Sequence, residues 1–100
     1  MTIENISTKI IESGNISQKD YDTLLDLFTK LFNSIQASRI RNRDAFDNAL
    51  IINDSLSDYV MFLISKRTVP ENPTTYCLNT IKHRINKEDK SFFNQEYLSF

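Results

Sequence analysis

One hundred residues, 40% apolar and 25% charged, suit a single globular domain whose core leaves no volume for a deep catalytic cleft. A formal net charge of −1 argues against a general polyanion binder, yet the charge is uneven: residues 1–37 hold three Lys and five acids, and residues 38–90 hold nine Lys or Arg and seven acids. One cysteine excludes an internal disulfide and a cysteine-built zinc site, and one glycine with two prolines leaves little turn chemistry for a sheet.

The opening MTIENISTKII carries Glu4 and lacks the basic region and apolar run of a secretory signal. No apolar run approaches the ~18 residues of a membrane span, so a cytoplasmic location without membrane contact is expected. Ile3, Ile6, Ile10 and Ile11 predict a short first helix ending at Ser13, with Gly14 as its left-handed C-terminal residue. Tyr21, Leu24, Leu25, Phe28, Leu31, Phe32 and Ile35 then follow helical spacing, which predicts an amphipathic second helix. Ser17 is its expected cap, Asp20 holds the capping-box position, and Ile16 with Tyr21 fit a hydrophobic staple.

After a basic connector, SRIRNR, a third helix is expected at about residues 43–66, capped by Asn42. Ala45, Ala49, Ile52, Leu56, Tyr59, Val60 and Leu63 form one stripe, and Phe46, Leu50, Ile51, Phe62 and Ile64 widen it around most of the circumference. Such a helix is expected to be central, with neighbours on several sides. Only a narrow strip with Asp47, Asp54, Asp58 and Ser65 stays polar. A dinuclear carboxylate site would need glutamates and a Glu-x-x-His motif, so the aspartates read as a solvated or partner-facing strip and no metal or cofactor is expected.

Both prolines fall in PENPTTYCLNTIKHRIN, residues 70–86. Pro73 suits the first turn of a helix and Asn72 its cap, while Pro70 stops the third helix from running on. A fourth helix is therefore predicted over roughly 73–89, with Cys77, Leu78, Ile81 and Ile85 inward. Its other side carries Tyr76, Thr80, His83, Lys87 and Lys90, flanked by Lys82 and Arg84. An exposed tyrosine on a basic ridge suits nucleic-acid backbone and an unpaired base. The simpler reading is a solvated helix face with Tyr76 lying on a neighbour. Cys77 and His83 lie about 120° apart on that helix and cannot act as nucleophile and base, so Cys77 reads as a buried apolar residue. Without a glycine-rich phosphate loop or a nucleophile elbow, no enzyme is expected.

The end, SFFNQEYLSF, is strongly aromatic. Phe93, Tyr97 and Phe100 match a short fifth helix that closes the core, and the alternative is a docking segment for a partner or a second copy in a homodimer. The expected architecture is an all-α, single-domain bundle of four to five helices over residues 1–100, with a central apolar third helix.

The order of an amphipathic helix, a basic turn, a long helix and an N-P pair opening an aromatic, basic helix resembles region 2 of the sigma-70 family. In its extracytoplasmic-function and phage late members the last segment has a similar shape. Within NPTTYCLNTIKHRINKEDK, residues Asn72, Pro73, Tyr76, Ile81, Arg84 and Lys87 stand in comparable places, and the likeness spans about residues 20–90. The resemblance implies a transcription factor whose fourth helix faces promoter DNA through Tyr76, His83, Arg84, Lys87 and Lys90. It also implies that Asp47, Asp54 and Asp58 dock on the clamp helices of RNA polymerase. A different class fits the same residues: a small helical protein that neutralises one protein target, as immunity, anti-defence or host-takeover inhibitors do. There the acidic strip and the aromatic tail form the interface, and the basic ridge is only solvated surface.

Overall fold

A computed structural model describes the backbone of residues 2–36 and 45–98, and the side-chain surroundings of residues 2–35 and 47–85. Within these residues the chain forms four helices, α1 (Ile3–Ser13), α2 (Gln18–Gln36), α3 (Ala45–Lys66) and α4 (Pro73–Leu98). The predicted all-α bundle is the fold. The SRIRNR connector and Asn42 lie outside the described residues.

Local chemistry sets each described boundary. Thr2 caps α1 by accepting a bond from the Asn5 N–H at 3.2 Å. The helix stops at Gly14, which takes the left-handed conformation (φ 72°, ψ 13°) and donates its N–H to the Ile10 carbonyl at 2.7 Å. Ser17 accepts from the Asp20 N–H at 3.2 Å and opens α2, with Ile16 and Tyr21 packed on the core as a staple. The α3 helix ends on Arg67, a non-glycine residue at φ 55° whose N–H bonds the Leu63 carbonyl at 2.9 Å. Asn72 caps α4 by accepting from the Thr75 N–H at 3.2 Å, and Pro73 occupies the first helical position.

Ile3, Ile6 and Ile10 of α1, Leu24, Phe28, Phe32 and Ile35 of α2, Ile51, Ile52, Leu56, Tyr59 and Leu63 of α3, and Cys77, Ile81 and Ile85 of α4 make one buried core. Burying each larger member contributes about 1.5–3 kcal/mol of transfer free energy, before the entropy of ordering the chain is subtracted. The α3 helix packs against all three others, as its composition led us to expect. Its apolar surface nevertheless exceeds what three neighbours cover. Leu50 and Ile64, expected among the covered residues, are exposed, and so is Ala49.

The last helix is longer than expected. In place of a stop near residue 89 and a separate fifth helix, the backbone of α4 continues unbroken to Leu98. Between these points the chain has neither glycine nor proline, so nothing interrupts the helical ladder. The side chains of Phe93, Tyr97 and Phe100 lie outside the described residues, and with them the choice between core closure and docking.

Inside the bundle a polar chain links helices that are distant in sequence. The Ser7 hydroxyl donates to the Ile3 carbonyl at 2.7 Å, and the Tyr59 hydroxyl lies 2.6 Å from the same Ser7 oxygen. With the Ser7 proton committed to Ile3, Tyr59 is the donor to Ser7. Tyr59 also touches Phe28 of α2 and Tyr76 of α4, with ring centroids 6.0 and 5.8 Å apart. One side chain of α3 therefore meets all three neighbouring helices.

Candidate functional site

The fourth helix positions its candidate residues differently from the wheel. Cys77 and Ile81 point inward as expected, and Lys82 and His83 are exposed. Tyr76 is not exposed: it is partly buried, with its ring 4.8 Å from that of Phe62 and 5.8 Å from that of Tyr59. A long helical side chain leans towards the N-terminus of its own helix, and here that direction carries the ring over α3. The simpler reading of Tyr76, an aromatic lying on a neighbour, describes its position.

Arg84 also turns towards α3. Its Nε donates to Asp58 Oδ2 at 2.7 Å and its Nη2 donates to Asp58 Oδ1 at 2.9 Å, a two-pronged pair joining α4 to α3. The expected basic ridge and acidic strip thus meet at one seam, and each gives a charge to the other. Lys87 and Lys90 lie outside the described side chains.

Asp47 is exposed and Asp54 partly so, and both share the outer side of α3 with Asp58, Asp54 one turn and Asp47 three turns before it. Beside them run Leu50, Met61 and Ile64, which are 46%, 67% and 40% exposed. Measured from buried Leu56, this ribbon runs from Ile64 at about 80°, through Leu50 and Met61, to Asp47 and Asp58 at about 180–200°. Leu50, Asp54, Ser57, Met61 and Ile64 repeat at alternating intervals of four and three residues, the spacing that keeps side chains in line towards a second helix. Met61 was the unused sequence signal, an apolar residue that falls outside the stripe around Leu56 and beside the aspartates.

Elsewhere, Lys9 reaches Asp20 at 3.7 Å in a shallow hollow lined by Lys9, Glu12, Ser13, Asn15, Ser17 and Asp20. That contact ties the end of α1 to the start of α2. Cys77 is buried, and burial pushes its thiol up to about 12, with the neighbouring Tyr59 hydroxyl acting weakly in the opposite direction. Such a group stays protonated near neutrality and packs as a small apolar side chain. Among the described residues no cluster of His, Cys, Asp and Glu could hold a metal ion, and no helix is long and apolar enough to cross a membrane.

Comparisons with protein-family models, curated proteins and solved structures give no match to this chain.

Proposed function

We propose that this chain acts by binding another protein through the outer ribbon of α3. Leu50, Met61 and Ile64 would supply apolar contact, and Asp47 and Asp54 the polar margin that orients it, Asp58 being held by Arg84. The observation that carries this reading is that Leu50, Met61 and Ile64 stay exposed along one side of a helix whose other face is core, Met61 and Ile64 one turn apart and Leu50 three turns before Met61. Single exposed apolar residues need no explanation, but an aligned group beside carboxylates has the make-up of a contact surface. Both functional classes raised by the sequence use the acidic strip that borders these residues, which is why this face comes first.

The resemblance to sigma region 2 makes RNA polymerase, through its clamp helices, the first partner to test. In that reading any DNA contact falls to Lys82, His83, Lys87 and Lys90. Tyr76 is packed on aromatic neighbours and Arg84 is engaged by Asp58, so each would have to leave these partners to stack on a base or grip a phosphate.

Capture from a nuclease-treated bacterial lysate tests the surface and the partner together. Wild type should retain its partner, and Met61→Asp or Asp54→Lys should reduce retention about tenfold or more, as removal of a central contact does. Lys82→Glu should leave retention unchanged. RNA polymerase subunits in the eluate support the transcription reading, whereas one unrelated effector protein favours the neutralising class. Equal retention by wild type and both α3 variants would remove the ribbon from consideration.

A further inference from the structure

We propose that Met61 is the peroxide-reactive group among the described residues, and that its reversible oxidation makes the exposed apolar part of the α3 ribbon polar. The inference builds on the ribbon as a docking surface and adds a means of control. Apart from Met1, which lies outside the described residues, the chain has two sulfur atoms, in Met61 and Cys77. They sit in opposite surroundings. Among the described residues, Met61 is the most exposed of the large apolar side chains, whereas Cys77 is wholly enclosed. Burial also holds the Cys77 thiol in its protonated, weakly nucleophilic form. A thioether has no such dependence on pH, so exposure decides which sulfur reacts.

The chemistry is complete with a hydroperoxide as oxidant. A sulfur lone pair attacks one peroxide oxygen, an S–O bond forms, the O–O bond breaks, and the second oxygen leaves as water or alcohol after taking up a proton. Sulfur is oxidised by two electrons and the peroxide is reduced by two. The product is a polar, chiral sulfoxide that a thiol-dependent reductase returns to the thioether. One turn from Ile64, it adds a strong acceptor at the most exposed apolar position of the ribbon.

Dilute hydrogen peroxide followed by peptide mapping locates the reacting sulfur. We expect one oxygen on Met61 before any change at Cys77, with the circular dichroism spectrum and the thermal midpoint preserved. Retention on a phenyl matrix should then fall for the oxidised wild type, recover after treatment with methionine sulfoxide reductase, and stay unchanged in peroxide-treated Met61→Leu. Oxidation of Cys77 first, or oxidation of Met61 with no change in retention, would overturn the proposal. Partner capture by the oxidised chain should weaken about tenfold, the scale of losing one buried methionine contact, and Met61→Leu should resist that loss. If Met61→Asp leaves capture intact, the docking surface is wrong, while the mapping and phenyl-matrix results still judge the oxidation itself.

Discussion

Tyr59 concentrates more of the fold than any other side chain. Its ring touches α2 and α4, and its hydroxyl donates to Ser7 of α1. Burial pushes its hydroxyl from the ordinary 10 up to about 12, the Ser7 bond acting the other way, and the Cys77 thiol beside it rises from 9 to about 12. Both groups hold their protons more tightly in the folded chain than in the unfolded one. Their contribution to stability is therefore fully present below about pH 9 and is lost as pH rises towards 12. The urea midpoint should fall across that window in wild type and fall less steeply in a Tyr59→Phe, Cys77→Ala double variant. At neutral pH, Tyr59→Phe alone should lose about 1 kcal/mol, because Ser7 keeps its bond to Ile3. Parallel pH curves for the two chains would show that neither group changes its proton affinity on folding. The inward position of Cys77 was readable from helical spacing. Its meeting with Tyr59 was not, since spacing orders residues around one helix and carries no information about which helix lies opposite.

The helix ends show the opposite balance, because caps are local. Gly14, Ser17, Asn72 and Pro73 act within four residues of themselves, and their residue types identified them before any tertiary contact was known. Arg67 escaped notice since nothing in its residue type announces a left-handed conformation, yet it ends α3 at φ 55°. Gly14 and Arg67 therefore form a matched test. A Cβ at Gly14 would meet no atom within 4 Å, so Gly14→Ala isolates the backbone penalty and should cost about 1 kcal/mol. Arg67→Gly removes the same penalty and should raise stability by about 0.5 kcal/mol, the remainder being offset by the freedom glycine brings to the unfolded chain. Denaturation of the two variants beside wild type gives the signs directly. Two losses of equal size would show that left-handed geometry is not what distinguishes these positions. The missed end of α4 belongs at this scale as well, as an apolar cluster was taken for a new helix where no residue existed to stop the old one.

For the molecule as a whole, the assembly of α3 and α4 decides what the surface offers. The Asp58–Arg84 pair joins residues 26 positions apart, and Tyr76 lies down on Phe62 across the same seam. Spacing therefore placed Tyr76, Arg84 and the aspartates on their helices but carried nothing about what each packs against. The aspartates, Leu50 and Ile64 were legible as residues of α3, and their exposure depended on the number of neighbours that α3 acquired. The connection over residues 67–72 has a further consequence for solution behaviour. Copies of a helical bundle can exchange a terminal helix when the intervening turn straightens and two helices fuse into one. Fusing α3 with α4 would bury Pro70 and Pro73 inside a helical ladder, where each costs about 3 kcal/mol or more. The two prolines thus act as a barrier to intertwining. A Pro70→Ala, Pro73→Ala chain should show a slowly formed dimer in light scattering at high concentration, under conditions where wild type shows none of that species. The prolines before and at the start of α4 thus also set a cost on sharing that helix between copies.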